Sequence, residues 1–454
     1  MSMRAKLYRS WNSRKRLSPT QTIAITFATI ILVGTMLLML PISSRSGESC
    51  QFLPALFTAT SSTCVTGLVM FDTWTQWSGF GQAVILAMIE IGGLGFMTAA
   101  SLVVFVLRKK VGLKQRMVMA QALSVSDMDS VVKLQKYVLY GSLGIQLTGA
   151  LILFVRFLPN FGVLKAAKWG VFHAVSAFCN AGFDIFGNGN SVASFNTDPV
   201  VFITLMLLVV AGGLGFFVWE ELVRLRNWKK FSVYTKLVLA STAVLLLGGA
   251  AVFCILEWNN PATFGAMTAP QKVLNGFFQS VTVRTAGFAG VDQALLTDAS
   301  KAVSMVLMLI GGCSGSTAGG VKTVTLMVLM LFLWSRIRGR ETVSVFKRTI
   351  PNSQVLDAMT IVSIVMVLAV FGGIFISVTS AVGFTDALYE AVSALATVGL
   401  TAGVTPVLGT AAKILLIIYM YFGRVGILTI SLGFLMGNKA VERYKYANTN
   451  LLIG

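Results

Sequence analysis

A twelve-residue stretch occurs four times in this chain and limits the fold more than any other feature. The copies are 57–68 (FTATSSTCVTGL), 172–183 (FHAVSAFCNAGF), 277–288 (FFQSVTVRTAGF) and 389–400 (YEAVSALATVGL). Each opens on an aromatic residue, runs through small and hydroxyl residues, and closes on Gly followed by Leu or Phe. The glycines are Gly67, Gly182, Gly287 and Gly399, spaced 115, 105 and 112 residues apart. That period is too long for a solenoid repeat, and every copy lies between two apolar runs of membrane length.

Eight such runs are legible: 22–40, 80–107, 137–155, 200–219, 237–256, 302–334, 358–384 and 414–435. A span needs about 20 mostly apolar residues to cross the hydrocarbon core. The chain is 56% hydrophobic and only 12% charged, with a mean hydropathy of +0.80, outside the range of soluble domains. The expected fold is all-α and integral to the membrane, with eight transmembrane helices as four span–pore loop–span repeats around one central pore. The repeats divide at 1–115, 116–230, 231–350 and 351–454. The basic start precedes a run of spanning length that lacks a small-residue cleavage signal, so it reads as a retained first span rather than a signal peptide.

A net charge of +19 would point to nucleic acid in a soluble protein. Here 26 of the 36 basic residues fall at the unit boundaries. Six are in the N-terminal tail (Arg4, Lys6, Arg9, Arg14, Lys15, Arg16), and the rest are in 108–136, 224–236, 336–348 and the C-terminal tail. The positive-inside rule puts those boundaries and both termini in the cytoplasm. A multi-pass plasma-membrane protein bathed in lipid thus explains the charge with no nucleic-acid partner, and the four stretches enter from the outer face. Five scattered cysteines without a CxxC, and His173 as the one histidine, give no zinc or disulfide framework. No nucleophile–base pair marks an enzyme.

Non-helical backbone at membrane depth must be buried in protein or line an aqueous path. The first half of each stretch suits a short helix, and the second contains Gly where the backbone must bend. A helix C-terminus aimed at a cavity favours a cation, and carbonyls of the extended residues can replace its hydration shell. The candidate ion-binding residues are Cys64, Val65, Thr66 and Gly67; Cys179, Asn180, Ala181 and Gly182; Arg284, Thr285, Ala286 and Gly287; and Ala396, Thr397, Val398 and Gly399. Side chains at the two residues before each Gly are expected to pack outward. Arg284 is expected to point backward and pair with Glu390 or Glu90. His173 and Gln279 read as packing or capping residues. Asp72, Asp184 and Asp292, just past the stretches, either draw cations to the outer mouth or are ordinary solvated loop carboxylates.

The run 302–334 would be about 50 Å as one helix, and GGCSGSTAGGVK (311–322) interrupts it with glycines that each lower helix propensity by about 1 kcal/mol. A broken helix with a mid-membrane loop follows. It is no nucleotide site, because Val321 separates Lys322 from the last glycine and no strand precedes it.

The set CVTGL, CNAGF, RTAGF and ATVGL between eight spans resembles the Trk/Ktr/HKT superfamily of potassium transporters, most closely a KtrB-type membrane subunit. The resemblance covers essentially the whole chain. It implies potassium uptake as the function, potassium as substrate, and one Gly per loop in the filter. Sodium stays open as an activating ion. In relatives Ser at the first glycine goes with sodium permeation, so Gly67 implies potassium. The resemblance also makes 311–322 a gating loop faced by Arg424, with Gly311, Gly312, Ser314, Gly315, Ser316, Thr317, Gly319, Gly320 and Lys322 in it. It implies a homodimer gated by a separate cytoplasmic RCK-type nucleotide-binding ring, no nucleotide on this chain, and a bacterial source. The C-terminal YANTNLLIG is apolar at its end and suits a subunit interface. The alternative is a secondary active cation symporter with a midplane site, a class that usually shows two inverted repeats rather than four parallel ones.

Overall fold

The computed structural model describes residues 19–95, 131–187 and 189–426. The basic N-terminal tail, the linker 108–130, the ends of the expected spans 80–107 and 414–435, and YANTNLLIG lie outside the described residues.

The chain opens with α1 (Pro19–Met39), the short α2 (Phe52–Thr63) and α3 (Gly79–Leu94). Next come α4 (Val131–Phe161), α5 (Val163–Phe178), α6 (Pro199–Gly213) and α7 (Phe216–Leu225). They are followed by α8 (Val233–Glu257), α9 (Ala269–Thr282), α10 (Asp298–Leu309) and α11 (Thr323–Ile337). After a hairpin pairing Ser344–Val345 with Arg348–Thr349, α12 (Asn352–Ser380), α13 (Phe384–Leu395) and α14 (Thr410–Val425) complete the described chain. Local chemistry sets several starts. Asp198 accepts from the amides of Val200 and Val201 ahead of Pro199. Ser232 accepts from Thr235, and Thr268 with Gln271 forms a capping box. Each cap is worth about 0.5–2 kcal/mol.

Helices α1, α4, α8 and α12 are each long and apolar enough to cross a membrane. The run 200–219 differs from the sequence reading. It is not one helix: α6 and α7 meet at 97°. Gly215 takes a φ of +89°, which an L side chain rarely adopts, and the helix turns there. The run 302–334 is broken as expected, into α10, irregular backbone over 310–322, and α11.

The helix packing is cyclic. The most extensive contacts join each long helix to the short one after it: α1 to α2, α4 to α5, α8 to α9 and α12 to α13. The next helix of each set then packs on the following short helix. These contacts are α3 on α5, α6 on α9, α10 on α13, and α14 back on α2. The ring closes on itself, so the C-terminal ends of α2, α5, α9 and α13 come together at its centre.

Candidate functional site

The four repeated stretches adopt one backbone shape. A short helix ends at Cys64, Cys179, Val283 or Ala396. Val65, Asn180, Thr285 and Thr397 then take a left-handed φ of +52° to +64°, and two residues later Gly67, Gly182, Gly287 and Gly399 take a φ of +69° to +97°. Polar side chains of the short helices hold that shape. The amides of Gly67 and Gly399 donate to Ser61 Oγ (3.0 Å) and Ser393 Oγ (3.1 Å). Ser176 Oγ donates to Phe183 O (2.7 Å). In the third copy Val281 stands at the serine position, and Thr282 Oγ1 instead donates to Phe288 O (2.7 Å).

The four glycines form a closed ring. A Cβ on Gly67 would run into Ala181 O, one on Gly182 into Ala286 O and Gly287 Cα, one on Gly287 into Val398 O, and one on Gly399 into Thr66 O. Each loop therefore lays one carbonyl oxygen against the glycine of its neighbour, in chain order around the ring. Four carbonyls at the negative ends of four helices suit a dehydrated cation.

The residues before the ring pack outward, as expected, where the structure records their contacts. Val65 meets Gly92, and Thr397 meets Gly423 and Gly319. Asn180 takes its amide nitrogen toward Phe178 O (3.2 Å), Thr317 Oγ1 (3.1 Å) and Val209 O (3.3 Å). Sequence reasoning missed the role of Gly92, Gly212 and Gly423. Each lets a helix approach the last turn of a short helix, at the carbonyls of Thr63, Phe178 and Leu395 respectively. The shared GG or FG of IEIGGLG, VVAGGLG and YFGRVG was the signal available for it.

Directly beneath lies 311–322, which exchanges backbone hydrogen bonds with the bend in α6–α7. The amides of Cys313 and Thr317 donate to Gly213 O (3.0 Å) and Gly212 O (3.2 Å), and the Phe216 amide donates to Gly315 O (2.9 Å). Two helix breaks thus satisfy each other's orphan groups, the condition for irregular backbone at membrane depth. Ser314 O accepts from Tyr234 Oη (2.9 Å). Ser316 Oγ donates to Cys313 O (2.6 Å), and Lys322 Nζ donates to Ala318 O (2.8 Å). Gly311 and Gly320 pack against each other at the base of the loop, and Gly312 sits over Ala318. Arg424 spans the gap between this loop and α3. Its guanidinium donates to Thr317 O, Gly92 O and Gly93 O.

The expected acid pairing of Arg284 is corrected. Arg284 is buried and donates to Thr323 Oγ1 (3.3 Å). Its Nε has no partner among the described residues, and it lines a cavity of about 20 Å³ with Asn180 and Thr242, room for about one water. The two acids are engaged elsewhere. Glu90 accepts from Gln146 Nε2 (3.0 Å) and Cys179 Sγ (3.3 Å). Glu390 accepts from Thr401, the Ala402 amide (3.1 Å) and Thr405 Oγ1 (2.7 Å). Glu390 and His173 hold the second position of their stretches and do the same job. His173 Nε2 accepts from the Ile185 amide (3.2 Å), two residues past the copy's end, as Ala402 is past its own. Gln279 pairs with Gln293 (2.6 Å). Asp72 holds the amides of Thr75 (2.8 Å) and Gly189 (2.9 Å), and Asp292 caps Ala294 (2.9 Å). Burial, and then the Asp72 carboxylate, push Asp184 up to about 7.

Comparison with known proteins follows the same lines. The family model described as TrkH, cation transport protein, matches residues 4–444. The chain is 42% identical to the potassium/sodium uptake protein NtpJ of Enterococcus hirae, over 97% of this chain and 98% of that one. It is 40% identical to the Ktr system potassium uptake protein B of Bacillus subtilis, over 94% and 96%. Among solved structures, the potassium transporter TrkH of Vibrio parahaemolyticus superposes with a TM-score of 0.72 at 17% identity, over 92% of this chain and 86% of that one.

Proposed function

The chain belongs to the TrkH family of cation transport proteins, and from that premise we propose that it takes up potassium through a channel-like pore with the four-carbonyl ring as selectivity filter. It is a multi-pass membrane transporter and not an enzyme, and its relatives' names carry potassium as the transported ion. The ring of Gly67, Gly182, Gly287 and Gly399 against the carbonyls of Ala181, Ala286, Val398 and Thr66 is the observation that carries the reading. Four matched oxygens at the ends of four helices replace a hydration shell without any charged ligand. On this reading the eight-span plan with repeats at 1–115, 116–230, 231–350 and 351–454 places the filter at the outer face and both termini in the cytoplasm.

The loop 311–322 is the gate beneath that filter, and Arg424 is its latch. Thr317 touches both the Asn180 amide and the Arg424 guanidinium, so one loop movement reaches the filter and the latch together. The transporter works as a homodimer with a cytoplasmic nucleotide-binding ring, and sodium acts as an activator. The nucleotide sits on that ring and not on this chain.

Potassium and sodium flux into proteoliposomes, for wild type and Gly67→Ser, tests the filter. Wild type is expected to prefer potassium at least about tenfold, and the substitution to admit sodium, because a side chain at Gly67 displaces the Ala181 carbonyl from the ring. A tenfold change corresponds to about 1.4 kcal/mol, within reach of one misplaced carbonyl. Equal selectivity in the two proteins would move the filter elsewhere. Potassium entry that stops without a sodium or proton gradient would favour a coupled symporter instead.

A further inference from the structure

Three cations of the outer loops converge on one indole. Arg45 Cζ lies 4.5 Å from the centre of the Trp74 ring, Lys168 Nζ 5.2 Å and Lys165 Nζ 5.6 Å. Lys165 also stands over Trp169 (4.4 Å) and Phe161 (5.1 Å). Arg45 follows α1, Trp74 follows the first filter stretch, and both lysines sit on the opening turns of α5. Two repeats therefore build the cluster. None of the three is paired with a carboxylate among the described residues, whose ion pairs include Arg156 with Asp198 and Lys301 with Asp386. Ring faces attract cations weakly at exposed sites and do not neutralise three like charges gathered around one indole. An anion does.

The surroundings select which anion. Val163 and Leu164, immediately before Lys165, are 63% and 90% exposed. Arg45 and Lys168 are exposed beside them, while Trp74 is half-buried. Tryptophan next to basic and apolar side chains marks the depth where headgroups meet acyl chains. A small free anion gains nothing from exposed Val163 and Leu164, whereas a two-chain lipid uses both halves of the patch. We propose that Arg45, Lys165 and Lys168 bind the phosphate headgroup of an anionic phospholipid of the outer leaflet, with Val163 and Leu164 against its chains. This rests on the reading of the chain as a membrane transporter.

The site is wired to the second filter stretch. Trp74 backs Gly187, and Trp169 meets Phe186 edge-on at 4.9 Å. Phe186 stacks on His173 at 3.8 Å, and His173 Nε2 holds the Ile185 amide. A bound headgroup steadies Trp74 and so braces the segment leaving Gly182.

The test titrates the full-length, delipidated protein in detergent with short-chain phosphatidylglycerol, short-chain phosphatidylcholine and inorganic phosphate, reading apparent affinity from thermal shift. Phosphatidylglycerol is expected to bind best. Its affinity should fall about fivefold per charge removed and roughly a hundredfold in R45Q/K165Q/K168Q, from the usual contribution of a basic side chain at an anionic surface. Basic residues elsewhere are common to wild type and variant, so the difference reads this site. Should the triple variant not fold, exposed Lys168→Gln alone must still show the single-charge loss. Unchanged affinity in either variant overturns the proposal. So does equal binding of phosphatidylcholine, and so does inorganic phosphate saturating the site as tightly as the lipid. Binding is read without ion flux, so a failure here and a failure of the transport reading are separate results.

Discussion

Arg284, within the third repeated stretch, and Arg424, beneath the carbonyl ring, both stand without an ion pair among the described residues, and their surroundings differ. Arg424 has three carbonyl acceptors from two other segments. Among the described residues Arg284 has one hydroxyl and an unpartnered Nε. Removing a poorly compensated buried charge is often neutral or stabilising, while stripping donors from buried carbonyls leaves each one short of a bond. Arg284→Met is therefore expected to leave the melting temperature unchanged or raise it by a few degrees. Arg424→Met should lower it by several and raise potassium flux, since the loop at Thr317 loses its tether. Melting curves and flux on the two variants, side by side, decide this. A large destabilisation by Arg284→Met would mean that a further partner occupies the cavity beside Asn180 and Thr242.

At the scale of elements, the junction of α6–α7 with 311–322 is two broken helices satisfying each other. Its tip is clasped between Phe216, whose amide donates to Gly315 O, and Tyr234, whose hydroxyl donates to Ser314 O. The tyrosine stands in the first turn of α8, within the basic stretch 224–236, so whatever moves that stretch pulls on the loop. Tyr234→Phe removes one hydrogen bond, worth about 1 kcal/mol net, and is expected to raise basal potassium flux about fivefold with the potassium-to-sodium ratio unchanged. Flux equal to wild type would show that the clasp does not hold the loop shut, and a changed ratio would mean that the loop shapes the filter. The break in 302–334 was readable because glycines crowd it. The bend at Gly215 was not, because VVAGGLG is as apolar as a straight span and hydropathy carries no information about φ. The four glycines of the ring were legible through fourfold recurrence. The partner of Arg284 was not, because facing an acid depends on how far each short helix is rotated, and Glu90 and Glu390 had closer donors in Cys179, Gln146 and Thr405.

For the whole molecule, the cyclic packing fixes which ends of the helices share a face. The loop after α1, with Ser46 exposed, and the segments after each repeated stretch lie at one end, joined by bonds such as Arg45 N to Gln76 O and Asp72 to Gly189. The linker with Lys229 and Lys230 opens α8 at its other end, while Glu257 at the far end of α8 holds Thr297 just before α10. Lysine and arginine crowd the linker end, and crossing the membrane with those charges is what the positive-inside bias avoids. A membrane-impermeant maleimide on intact cells should therefore label a cysteine placed at Ser46 and spare one placed at Lys229. The background is Cys50→Ser with Cys254→Ser, because Cys64, Cys179 and Cys313 are already buried. After permeabilisation both positions should react. Labelling of the Lys229 position in intact cells would invert the molecule, putting the carbonyl ring at the cytoplasmic face and the loop 311–322 toward the outside. The proposed uptake with cytoplasmic control by a soluble partner needs the opposite arrangement, so this one orientation measurement bears on the proposed filter, gate and partner together.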